Sequence, residues 1–206
     1  MTPQLQVRRP FRRRLASATG QSVMEMAMLL PFLTVVALGV VELSYGLLDQ
    51  HIVTRLTREG ANLISRDTTL DDAYQALVGM SALPVDFNTR SKVIFSVVLH
   101  DATTGASNYD KNILYQQFQY GSSGVPGSSS LSCAAGASAF GPGPEHLAAN
   151  ADNNTALQVV GLPPGALTSL GSYLYVTEIF TQHNLLTPFN SFGVTVPSTL
   201  YSIAYF

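Results

Sequence analysis

The stretch from Met26 to Val41 (MAMLLPFLTVVALGVV) runs sixteen residues without a charge, and a glutamate closes it at each end, Glu25 and Glu42. As a helix it rises about 24 Å at 1.5 Å per residue, short of a hydrocarbon core of about 30 Å. Adding Val23, Met24 and the flank from Leu43 to Leu48 gives a full span, with both carboxylates at or near the membrane edges. Tyr45 suits the outer interface, and Glu42 is expected beside it. Pro31 removes one backbone bond inside the span and is expected to kink or loosen the helix. Gly39 and Gly46 permit close helix contacts, although their spacing is not GxxxG.

What precedes the span is strongly basic. Arg8, Arg9, Arg12, Arg13 and Arg14 are five of the eleven basic residues, and no acid stands before Gly20. Such a leader holds the N-terminus in the cytoplasm. The net charge of −2 hides this asymmetry: without residues 1–20, six basic residues face thirteen acidic ones, a net of −7. An acidic outer part offers no basic face to phosphates, so nucleic acid is not an expected partner. At 206 residues there is room for one membrane segment and one modest domain. Cys133 is the only cysteine, which excludes an intrachain disulfide; it reads as a small filler in a Ser/Gly/Ala-rich loop.

A carboxylate in hydrocarbon costs about 2.5–3.5 kcal/mol or more, so Glu25 needs a compensating partner. A secretory signal peptide leaves it unexplained and would put an A-x-A site after the apolar run, where none stands between Val41 and His51. Arg8-Arg9-Pro10-Phe11 faintly resembles a twin-arginine signal but lacks the same site. The hydrophobic span directly behind the leader demotes a mitochondrial presequence. A prepilin-type site, cut between Gly20 and Gln21 on the cytoplasmic side, uses every feature. Cleavage would free an α-amino group on Gln21, mostly cationic at neutral pH. Glu25, four residues along, would pair with that amine in its own or a neighbouring subunit, each ion offsetting the other's desolvation.

The run from Gly20 to Ala61 resembles the TadE-like domain of tight-adherence (Flp-type) pilus systems. Gly20, Glu25, Pro31, Gly39, the acid Glu42 with Tyr45 after it, and the ending Arg58-Glu59-Gly60-Ala61 carry the resemblance. Tyr173–Phe189 and the closing LYSIAYF are similar, more loosely, to the end pattern of the same pseudopilins. The resemblance implies a minor pilin cut by a prepilin peptidase and used in assembling, initiating or capping the fibre, with a part in adhesion. Its implied partners are other minor pilins, the major pilin, the inner-membrane assembly platform and membrane lipid. The major Flp pilin is much shorter and has a Glu-Tyr pair where Met26 follows Glu25 here. A von Willebrand-type domain does not fit in this length.

Apolar positions continue at helical spacing after the span (Ile52, Leu56, Leu63, Ile64), which predicts one helix from about Ser22 to Ile64. Gly60 should weaken its last turns by about 1 kcal/mol relative to Ala. Thr69-x-x-Asp72 resembles a capping box opening a short helix through Met80, and Pro84 ends the helical region. Lys92–His100 and Asn112–Tyr120 read as antiparallel strands, followed by further strands at Leu157–Val160, Ser172–Gln182 and Thr199–Phe206. Between them 121–144, rich in Gly, Ser, Ala and Pro, reads as a long flexible loop, with a short helix near Glu145–Asn150. The expected organisation is a cleaved leader 1–20, a membrane and stem helix 21–66, and a periplasmic or extracellular domain 67–206. The fold class is α+β: a long N-terminal helix followed by a small antiparallel sheet.

No residues read as a catalytic, cofactor or metal site. His51, His100, His146 and His183 lack zinc spacing and read as surface or strand-end residues. Asp67, Asp71 and Asp72 would collect a hard cation but read better as helix-dipole complements. Asn153-Asn154-Thr155 fits the glycosylation pattern, which is common by chance. Glu178 falls on an otherwise apolar strand face with Leu174, Val176 and Phe180, so a hydrogen-bonding partner is expected there. Besides the pilin reading, an uncleaved single-pass anchor carrying a binding domain fits the same chain. A membrane-tethered enzyme is a third reading, with no substrate suggested.

Overall fold

The structure, a computed structural model, describes residues 15–167, 169–185 and 197–206. Most of the arginine leader therefore lies outside the described residues, as do positions 186–189 of the looser C-terminal resemblance. The chain divides after Ser44 into two compact units.

One helix, α1 (Leu15–Ile64), contains the apolar run and continues through Pro31. It starts seven residues before the expected Ser22, and Gly20 and Gln21 lie within it. Among the described residues it is the one helix long and apolar enough to cross a membrane. Its side chains from Val23 to Leu48 are largely exposed, with Met28 at 79% and Leu47 at 73%. An apolar surface of that extent is compatible with lipid rather than water.

The unit from Tyr45 onward is a four-stranded antiparallel sheet with helix on one face. Four strands, β1 (Ser91–His100), β2 (Asn112–Gly121), β3 (Tyr173–Gln182) and β4 (Thr199–Tyr205), lie in the order β2-β1-β3-β4. The fold is α+β, a long apolar helix followed by this small sheet. A second helix, α2 (Leu70–Met80), opens as its sequence implied: Thr69 accepts from the Asp72 N–H at 3.1 Å. The reciprocal half differs, because the Asp72 carboxylate takes the Thr69 hydroxyl at 2.8 Å.

Apolar spacing places the core. Leu70, Ala73 and Leu77 face inward from α2, and Val53, Leu56 and Ile64 from α1, onto Val93, Phe95 and Val97 of β1 and Ile179 of β3. Gly60 is where α1 comes nearest: a Cβ there would lie 2.8 Å from Thr177 Cγ2. The propensity cost noted from sequence is thus offset by a close helix–sheet approach.

The opposite face of β1 carries Ile94 and Val98, and it too is buried. That explains why KVIFSVVLH lacks strand alternation: with both faces covered, both are apolar. The cover is the irregular chain between β2 and β3. In 121–144, expected to be a long flexible loop, Val125 and Leu131 are buried against the sheet, which ties the segment down. Single antiparallel bridges, Gln116 to Leu147 and Ile113 to Gln158, lay this chain along the β2 edge. Two expectations are corrected. Glu145–Asn150 forms turns and bridges rather than a helix, and Leu157–Val160 supplies isolated bridges rather than a strand. Backbone pairing to β2 and Ser132 satisfies these short segments, leaving helical turns only at Ala137–Ala139 and Thr155–Leu157.

Candidate functional site

The residues singled out for processing lie along α1. Gly20 is exposed, and a Cβ built on it meets nothing within 4 Å. Packing within the monomer therefore gives no reason for glycine at a position where alanine would favour the helix by about 1 kcal/mol. Gln21 and Glu25 are also exposed, and the Gln21 side-chain amide donates to the Glu25 carboxylate at 3.1 Å. The i, i+4 spacing brings these two together because both lie on one helix face.

Further along, Pro31 is exposed, Gly39 is partly buried, and Glu42 is buried at 4% exposure. Pro31 carries no N–H, so the Ala27 carbonyl loses its donor one turn earlier. The hydroxyls nearby satisfy themselves on the helix: Thr34 donates to the Leu30 carbonyl at 2.8 Å and Ser44 to Val40 at 2.7 Å. Internal bonding of this kind is what an apolar solvent demands. From Gly20 to Glu42 the helix rises about 33 Å, close to a membrane thickness.

Residues 20–62 match the TadE-like protein family. The match begins at Gly20 and covers the span and the first turns that pack on the sheet. No curated protein and no solved structure matches the chain. The similarity is confined to this helical segment. The sheet unit lies outside the match except for helix residues up to 62.

Within that unit, polar groups are paired where sequence reasoning saw isolated histidines. His100, His146 and His183 are buried; His100 closes β1 and His183 directly follows β3, the strand-end positions expected, whereas His146 lies in the chain between β2 and β3, and each faces a carboxylate. The partners are Asp110 at 3.2 Å, Asp71 at 3.2 Å and Asp49 at 2.7 Å. These pairs join residues up to 134 positions apart, so no spacing rule exposes them. His146 also stacks on Phe118, with centroids 3.8 Å apart. Asp71 receives the Tyr120 hydroxyl, which with the His146 bond and charge holds its carboxyl below the usual range despite some opposing burial. Burial, then the Asp71 bond, pushes the Tyr120 phenol far up, leaving it neutral and fixed rather than nucleophilic.

Glu178 is fully buried. It accepts from the Ser130 N–H at 2.8 Å, the Tyr201 hydroxyl at 2.7 Å and the Ser129 hydroxyl. Two of its three partners belong to the loop that covers the sheet. Nearby, Lys92 is buried, donates to the Gly127 carbonyl and lies over the Phe180 ring. Among the described residues no group of histidines, cysteines and carboxylates is arranged to hold a metal ion. Asn153 is exposed and accepts from the Ser107 N–H, while Asn154 caps the following helical turn.

Proposed function

We propose that the protein is a processed minor pilin of the tight-adherence type, held in the bacterial inner membrane by α1 until it joins or primes a fibre. The observation that carries this reading is Gly20, a helical glycine with open space around it, one residue before a Gln21–Glu25 pair at the head of the TadE-like segment. A processing enzyme needs a small residue there; the monomer's own packing does not. Cutting the 20–21 bond removes five positive charges and gives Glu25 a cation on the residue that already pairs with it. The N-terminus would then lie on the cytoplasmic side, with the sheet unit periplasmic or carried on the fibre.

Helix packing through Met26–Val41, with Pro31 and Gly39 shaping it, would be the assembly contact. The acidic outer unit would cap, initiate or specialise the fibre beside the major pilin and other minor pilins. An uncleaved single-pass anchor is the second reading, and one observation favours it: α1 crosses the 20–21 bond without interruption. A protease must unwind that turn to act.

Replacing Gly20 with Phe in cells that contain the peptidase separates the two. The pilin reading expects wild-type protein to start at Gln21 by amino-terminal mass spectrometry and Gly20→Phe to keep its leader. Identical, uncut N-termini in both would leave the anchor reading.

A further inference from the structure

α1 ends at Ile64, and the chain turns through Asp67, whose backbone is left-handed (φ 58°), before α2 begins. Beside this turn opens a cleft of about 360 Å³, floored by buried Val97 and walled by Tyr115, Tyr173 and Tyr175. Tyr173 and Tyr175 alternate onto one face of β3, with centroids 6.2 Å apart. Tyr115 meets Tyr173 edge-on at 5.9 Å. It arrives there through a β-bulge: the register passes from Val97–Gln116 to Val98–Leu114, leaving Tyr115 as the extra residue. Bulges re-aim side chains in this way.

Two carboxylates share the cleft, Asp67 and Glu145, and no basic residue lines it among the described residues. Gln116 Nε2 donates to Glu145 at 3.1 Å and orients it. Burial raises the Tyr175 phenol, and the charge of Asp67 raises it further. The Tyr173 and Tyr175 rings are therefore neutral, with electron-rich faces beside the two carboxylates. Both features attract a cation.

We propose that this cleft binds a basic side chain, an arginine for preference, presented by a partner protein. Guanidinium suits it because a planar cation stacks on tyrosine while its N–H fork meets a carboxylate. The mouth is open, with Tyr173 43% exposed, so a protruding side chain can enter from a neighbouring surface. The net −7 beyond the leader steers basic partners toward it and repels phosphate-bearing ones. The inference stands whether or not the 20–21 bond is cut.

The test is calorimetry and saturation-transfer NMR on the full chain in detergent, with the blocked tripeptide Gly-Arg-Gly as probe and its citrulline counterpart as the uncharged control. Saturable binding of the arginine peptide is expected, about tenfold or more tighter than citrulline and weakening with salt. Asp67→Asn, which tolerates the left-handed backbone, and Glu145→Gln, which keeps an acceptor for Gln116, should each weaken binding about fivefold at unchanged melting temperature. Equal binding of the two peptides, no saturation, full affinity in the double variant, or binding of maltose instead would each overturn the proposal. The citrulline comparison needs no variant, so a substitution that unfolds the protein leaves the test intact.

Discussion

Gln21 Nε2 lies 3.1 Å from Glu25 Oε1, one helical turn away. The side chain that satisfies the carboxylate thus belongs to the residue whose backbone nitrogen cleavage would expose. Glu25 has an amide donor in the uncut chain, and on the proposed cleavage it would gain an ammonium, the one of the two that carries a charge to match its own.

That difference sets the first prediction. Glu25→Gln should leave cleavage after Gly20 intact, because the carboxylate lies five residues from the bond. Assembly should fail, because the amine, once desolvated among packed helices in the fibre, would lose its counter-ion. Comparing the mature band in membranes with that in sheared fibres checks this. Incorporation at wild-type levels would sink the ion-pair account.

Glu178 yields a stability prediction. Glu178→Ala removes the acceptor shared by the Ser130 N–H and the Tyr201 hydroxyl, at a cost of about 1–3 kcal/mol. Glu178→Gln keeps an acceptor and should cost less. Urea midpoints on the detergent-solubilised chain distinguish them, and equal midpoints for all three proteins would contradict the role assigned to Glu178.

Gly60 and Gly79 should respond oppositely to alanine. At Gly79 a Cβ meets nothing within 4 Å, so the substitution should stabilise α2 by up to about 1 kcal/mol. At Gly60 the new methyl would press on Thr177 and Leu77. Overpacking of that kind costs about 1–3 kcal/mol and should outweigh the helix-propensity gain. Thermal melts of the two variants give the signs directly.

The Tyr120–Asp71 pair predicts two pH limits. Asp71 has a depressed folded pKa, so its contribution is present above the unfolded value of about 3.9 and is lost as pH falls through the folded one. Tyr120 is raised, so its contribution is whole below about pH 10 and declines as pH climbs toward the folded value. Tyr120→Phe should remove part of the alkaline loss and relax Asp71 toward its ordinary pKa. Stability measured from pH 2 to 4 and from 9.5 to 11.5 tests both limbs.

Much was legible along the chain because it is local. The apolar run, the paired glutamates, the Thr69 cap, the four long strands and the unease of Glu178 on an apolar face follow from period, composition and desolvation cost. They need only neighbours within a turn or a strand. Tertiary structure decided the rest. The partners of His100, His146 and His183, the serines that meet Glu178, the burial of Val125 and Leu131, and the tyrosine cleft beside Asp67 all arise where distant segments meet. A polar atom must find a partner once water is excluded, but composition names only the need; which donor arrives depends on how a sheet edge, a bulge and an irregular loop are brought together in space.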